Sequence, residues 1–248
     1  MKVLALDTAM AACSAAVHDS SAVLASAFVA MERGHAEAIA PMVRDVMSEA
    51  RLDFAKLDRI LVTRGPGTFT GVRIGLAMAR GLGLALDIPV AGIDTLSAIA
   101  ANAGENDAPL LVAADARKDE VYAALFGPSG KMLQPPAVLS IADCLRLLPK
   151  GSVQVMGTGA EAVTAASLRS DLTRNRSGDL PNAANFGGPG FALALSEAMP
   201  EPLYLRAPDA KLPINIQSAT AAQAGILARL HAQCFDPRWA AEEFAALL

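Results

Sequence analysis

Between Arg59 and Leu86 the sequence reads RILVTRGPGTFTGVRIGLAMARGLGLAL, and this stretch limits the fold more than any other. It predicts a short β-branched strand (Ile60, Leu61, Val62, Thr63), a glycine–proline turn and then a long helix over Thr70–Leu86. Its glycines invite a phosphate-binding reading, and spacing removes it. No Lys follows a glycine as a P-loop requires, and after Gly65 and Gly67 the third glycine of a dinucleotide fingerprint is replaced by Thr70, with Gly71 one residue late. Gly71, Gly75, Ala79 and Gly83 instead recur every fourth residue and form one stripe of small side chains; Ala77, Gly81 and Ala85 form a second. Three glycines inside a helix (Gly75, Gly81, Gly83) cost about 2–3 kcal/mol of helix stability, at about 1 kcal/mol each. A close neighbour must offset that cost. It could be another element of this chain or the surface of another chain.

The rest of the first hundred residues alternates in the same style. Lys2–Leu6 reads as a buried strand ending on Asp7-Thr8, followed by an alternating run Cys13–His18 and a third run Val23–Ala30. A helix over Ala36–Ala50 carries Ile39, Val43, Val46, Met47 and Ala50 at helical spacing, and Pro41 is tolerable only near its first turn. After the central strand–turn–helix come a strand at Pro89–Ile93 and a short helix at Thr95–Ala103, giving βββ-α-β-α-β-α. The second half opens alike. Leu110–Ala114 ends on Asp115-Ala116-Arg117, Val121–Phe126 alternates, Ile141–Leu148 is helical, and strand Val153–Met156 runs through Gly157-Thr158-Gly159 into helix Ala160–Ser167. Asp171–Pro189 reads as a loop and Phe191–Met199 as a last helix. The repeat predicts an α/β chain of two lobes, 1–104 and 105–212, with an appendage at 213–248. That appendage begins strand-like and continues as an amphipathic helix through Ala224, Leu227, Leu230, His231 and Cys234, then a short helix with Trp239, Phe244 and Leu247.

Composition bounds the chemistry. A length of 248 residues with 53% apolar content suits packed lobes, and a net charge of −4 offers no electrostatic footprint for free-standing nucleic-acid binding. Cys13, Cys144 and Cys234 are odd in number and far apart, which fits neither a disulfide framework nor a zinc cluster and suits a reducing cytoplasm. The opening MKVLALDTA is not a signal peptide, and the apolar tract Ile74–Ile93 is interrupted by Arg80, Asp87 and Pro89, so no membrane span is expected. With His18, His35 and His231 the only histidines, neither a Ser/His/Asp nor an HExxH arrangement is in sight.

The segments LALDTA, CSAAV, RGHAEAIAPMV, RGPGTFTGVRIGL, DARKDEVYAALF, GTGAE and PLYLRAPDA together resemble the TsaB (YeaZ) family over about residues 1–212. The resemblance implies two ribonuclease-H-like lobes of the actin, sugar kinase and Hsp70 superfamily, with mixed sheets and flanking helices. It implies a non-catalytic subunit, of a family once labelled glycoprotease-like, that supports a TsaD-type catalytic subunit. Together with a TsaE-type ATPase, that assembly makes threonylcarbamoyladenosine at adenine 37 of tRNA, so tRNA would be met through the complex. Partner contact would use the first two helices, at His35, Ile39, Met42 and Val46 and at Gly71, Arg73, Gly75, Met78, Ala79 and Leu82, and the same helices could pair in a homodimer when the protein is alone. Catalytic relatives hold metal through H-x-x-x-H; here the residue four after His35 is Ile39, so no catalytic or metal residues are assigned. Asp7, Thr8, Asp115, Gly157 and Gly159 stand where kinase-like members bind nucleotide. No tightly bound cofactor is expected, with ATP or ADP contact left to the complex or to the alternative reading, an ATP-dependent phosphotransferase. The tail TAAQAGILARLHAQCFDPRWAAEEFAALL resembles the opening of a RimI-like Gcn5-type acetyltransferase, without the acetyl-CoA pyrophosphate loop. Acetylation is therefore not expected, and the tail reads as a truncated fusion or a relic.

Overall fold

Five strands build the first sheet: β1 (Val3–Asp7), β2 (Ala12–His18), β3 (Val23–Ala30), β4 (Arg59–Thr63) and β5 (Val90–Ile93), in the order β3-β2-β1-β4-β5. The β1–β2 and β2–β3 pairs are antiparallel, and β4 and β5 join parallel through the crossover helices α1 (His35–Glu49) and α2 (Phe69–Leu86). The second sheet repeats the plan with β6 (Leu110–Asp115), β7 (Glu120–Phe126), β8 (Met132–Ser140), β9 (Val153–Met156) and β10 (Leu172–Arg174), ordered β10-β9-β6-β7-β8. Helices α4 (Ile141–Arg146) and α5 (Ala160–Ala166) occupy the places of α1 and α2. These are the two α/β lobes expected from the repeat. The computed structural model describes residues 1–20, 22–190, 199–206, 220–234 and 240–247.

The lobes exchange helices. Helix α3 (Thr95–Ala100) follows β5, yet Leu96 and Ile99 pack on Leu110, Val112, Ala114 and Phe126 of the second sheet. Helix α6 (Ala183–Gly190) follows β10, yet Ala183 and Phe186 pack on Val3, Ala5, Ala16 and Leu61 of the first. This exchange corrects two sequence expectations. Strand β2 is buried along its whole length rather than on one face, because its polar positions meet α6: Ala183 donates its N–H to Ser14 Oγ at 3.0 Å, and His18 Nε2 donates to Ala183 O at 2.9 Å. The expected loop Asp171–Pro189 contains both β10 and most of α6. The helix expected at Phe191–Met199 lies, apart from Met199, outside the described residues.

Pro41 is the seventh residue of α1, beyond the first turn, and is exposed; its missing N–H costs the Glu37 carbonyl a partner on the solvent side of the helix. Residues 199–206 strap the lobes together. Arg80 donates to Pro200 O (2.6 Å), the Leu203 N–H to Arg64 O (2.6 Å), and Arg206 to Ala116 O (3.0 Å) while pairing with Glu120. Both lobes lie in one unit, Met1–Arg206; Ala207–Leu248 forms a second, in which α7 (Ala224–Cys234) and α8 (Ala241–Leu247) are the described α-helices. The strand-like start of the tail and Trp239 are outside the described residues.

Candidate partner interface on the first lobe

Helix α2 starts where Thr68 Oγ1 accepts the Gly71 N–H at 3.1 Å, one residue before the start read from the sequence. It lies beside α1 on one face of the first sheet. There Val72, Leu76 and Ala79 meet Ile39, Met42, Val43, Val46 and Met47 above Leu4, Leu6, Ile60 and Val62. By length and composition α2 could cross a membrane, but it packs within the lobe against α1 and the sheet. What remains outside is the unusual part. Ala77, Gly81, Leu84 and Ala85 are exposed, Leu84 to 82%, and Ile74, Met78 and Leu82 are half-buried between this face and α1.

The phase of α2 corrects the candidate set. The stripe of Gly71, Gly75, Ala79 and Gly83 is buried against the chain's own sheet. A Cβ on Gly71 would lie 2.1 Å from Thr8 O, and one on Gly75 2.7 Å from Thr8 Oγ1. Thr8 Oγ1 also donates to Gly71 O at 2.7 Å, so strand end and helix start are clasped. Ile39, Met42 and Val46 are core residues, and His35, 8% exposed, donates from Nε2 to Met10 O at 2.9 Å. Of the ten interface positions read from the sequence, Arg73, Met78 and Leu82 retain surface; the second small stripe, Ala77-Gly81-Ala85, is the one that faces out. At the helix start an exposed cluster adds to that face. The Phe69 and Tyr204 rings stack with centroids 5.8 Å apart, and the Arg73 guanidinium sits 3.3 Å over the Phe69 ring. Tyr204 comes from the strap, which no local sequence signal could place there.

The positions considered for nucleotide are held by their own chain. Asp7 and Thr8 are fully buried. Asp7 Oδ1 accepts from Thr63 Oγ1 (2.5 Å) and the Ala9 N–H (3.1 Å), while Oδ2 has no hydrogen-bond partner among the described residues. Burial outweighs these two bonds and pushes the Asp7 carboxyl up to about 7. Asp115 accepts the Arg117 N–H at 2.8 Å and so caps the β6–β7 turn. The Gly157 N–H donates to Asp179 Oδ1 at 2.9 Å, an internal carboxylate that Arg174 also holds, and a Cβ on Gly157 or Gly159 would press on Ala113 or Val121. Burial also pushes the Cys13 and Cys144 thiols up to about 11, which leaves neither a ready nucleophile.

Residues 29–231 match the family model described as TsaD, tRNA N6-adenosine threonylcarbamoyltransferase. The chain is 32% identical over 226 residues to the tRNA threonylcarbamoyladenosine biosynthesis protein TsaB of Escherichia coli, covering 83% of this chain and 95% of that one. The solved structure of YeaZ from Pseudomonas aeruginosa superposes with a TM-score of 0.72 at 33% identity, over 82% of this chain and 99% of that one. An uncharacterized protein of Mycobacterium leprae, ML0378, is 34% identical over 246 residues; that match reaches 94% of this chain, and so into the tail, but 64% of the longer relative. With its repeated β3-β2-β1-β4-β5 lobes and these matches along most of its length, the chain belongs to the TsaB (YeaZ) family.

Proposed function

We propose that the chain is a non-catalytic subunit of cytoplasmic tRNA threonylcarbamoyladenosine formation, docking a TsaD-type catalytic subunit on the outer face of α1 and α2. The observation that carries this reading is the apolar, small-residue surface of α2. A helix with exposed Ala77, Gly81, Leu84 and Ala85 lets another helix approach closely, and the Phe69–Arg73–Tyr204 cluster beside it has the residue types that anchor interfaces. Support for a role without catalysis is that His18 and His35 are each engaged by a backbone carbonyl and that Asp7 is sealed in the core. A TsaE-type ATPase and tRNA would be met through that assembly. With the partner absent, the same face would pair two copies of this chain.

The test is affinity for the TsaD-type subunit by calorimetry. Gly81→Arg and Leu84→Glu should each weaken binding at least about 100-fold, the scale of an interface hot spot. Neither should lower the monomer's melting temperature, because a Cβ at Gly81 meets nothing within 4 Å and Leu84 is 82% exposed. Binding retained by both variants would overturn the assignment. Titration of the isolated chain with magnesium and ATP tests the phosphotransferase alternative: no heat is expected, and micromolar binding with hydrolysis would favour that alternative.

A further inference from the structure

A cavity of about 680 Å³ opens between the lobes, away from α1 and α2, and none of Asp7, Thr8, Asp115, Gly157 or Gly159 lines it. Its volume is in the range of small-molecule sites. One wall is the end of β4 and β5 with the start of α3; the other is the start of β6 and the Gly127–Gly130 turn between β7 and β8. The floor is apolar and well buried: Ile93 is 6% exposed, Leu110 4% and Phe126 4%, with Met132 at the rim.

Against that floor stands a half-buried arginine. The Arg64 guanidinium makes no hydrogen bond or ion pair among the described residues, although the Arg64 backbone is held at both ends, N–H to Ile93 O (2.9 Å) and C=O from the Leu203 N–H (2.6 Å). Its stem lies over Gly92, where an added Cβ would come 2.7 Å from Pro200 Cβ and 3.0 Å from Arg64 Cδ. Asn106 lies in the same lining, where its Oδ1 accepts from Gln154 Nε2 (2.7 Å) and the Ala108 N–H (3.3 Å); its Nδ2 is sealed from the cavity. The carboxylate in the lining, Asp94, is already engaged by the N–H (2.9 Å) and hydroxyl (2.5 Å) of Ser97. A guanidinium free of protein partners among the described residues, beside an apolar floor, matches a ligand with an anionic head and an apolar body.

We propose that this inter-lobe cavity binds a small organic carboxylate, its head on the Arg64 guanidinium and its apolar part over Ile93, Leu110 and Phe126. A planar guanidinium takes a carboxylate through two parallel N–H···O bonds. Inorganic phosphate would satisfy Arg64 but leave the apolar floor unfilled.

The test uses the full chain labelled with 15N and three probes: benzoate, the uncharged benzyl alcohol of similar shape, and inorganic phosphate. Benzoate should give saturable amide shifts confined to Gly92, Gly104, Asn106, Gly127 and Gly130. Benzyl alcohol and phosphate should each bind at least about tenfold more weakly, the scale of one charge-assisted hydrogen bond. Arg64→Gln removes the charge and should weaken benzoate by the same factor with an unchanged melting temperature, since that side chain makes no hydrogen bond or ion pair among the described residues. Asn106→Asp retains both accepted bonds, adds a negative charge to the lining, and should weaken benzoate further. Equal binding of benzoate and benzyl alcohol, equal binding of phosphate, unchanged affinity in Arg64→Gln, or shifts centred elsewhere would each overturn the proposal.

Discussion

Replacing Gly71 by alanine should strongly destabilise the first lobe, while replacing Gly81 by alanine, ten residues along the same helix, should stabilise it. The added Cβ at Gly71 would stand 2.1 Å from Thr8 O and 2.6 Å from Thr68 Oγ1. Neither atom can yield freely: Thr8 is clasped to Gly71 O through its hydroxyl, and Thr68 caps the helix. Overpacking of this kind costs about 3 kcal/mol or more when backbone must move. Alanine at Gly81 meets open space and gains helix propensity of about 1 kcal/mol. Urea unfolding of the two variants reads the difference directly. Equal effects would mean that the small-residue stripes are phased the other way around. The same contacts explain why Gly75 and Ala79 make poor interface probes: enlarging either disrupts the lobe before it reaches a partner.

The second large effect is a pH dependence centred on Asp7. The folded protein holds the Asp7 proton up to about pH 7, whereas the unfolded chain releases it near 3.8. Between those values folding takes up a proton, so stability falls as pH rises through the window and levels off above it. A window about three pH units wide corresponds to at most about 4 kcal/mol. Asp7→Asn removes this titration and leaves the Oδ1 acceptor in place. The stability difference between Asp7→Asn and the parent should therefore move in the variant's favour by about 2–4 kcal/mol from pH 4 to pH 8. A difference constant with pH would show that the Asp7 carboxyl titrates alike in the folded and the unfolded chain. His18 has the opposite slope. Its burial lowers its pKa, so stability falls as pH drops below the ordinary value of 6.5; comparison with Asp7→Asn cancels that contribution.

Much of the architecture is legible in the residues. The order βββ-α-β-α-β-α emerges because β-branched runs, the Gly65-Pro66 turn and the Ile39–Met47 periodicity each signal their element locally. What escaped was held by distant partners. Strand β10 is three residues that exist as a strand because β9 offers a parallel edge. Helix α6 includes Gly187, Gly188 and Pro189, poor helix formers, and it is anchored by Ser14 and His18 from more than 160 residues away. Strand β8, with Pro135 and Pro136, shows little alternation, yet it completes the second sheet on β7.

The candidate interface divides the same way. The sequence alone determined that α2 would be a helix with two stripes of small residues and that a close neighbour must meet them. It could not determine which stripe faces which neighbour. A helix apolar on nearly every side has no polar face to orient it, so its rotation is decided by contact and not by composition. The contacts are the Thr8 carbonyl against Gly71, the Thr8 hydroxyl against Gly75 and the Val90 side chain against Gly83, all brought by β1 and β5. Once those are made, Ala79 is sealed and Ala77, Gly81 and Ala85 turn outward. The tertiary structure thus supplied the phase of the helix, because only the approach of other strands distinguishes two stripes that the sequence writes alike.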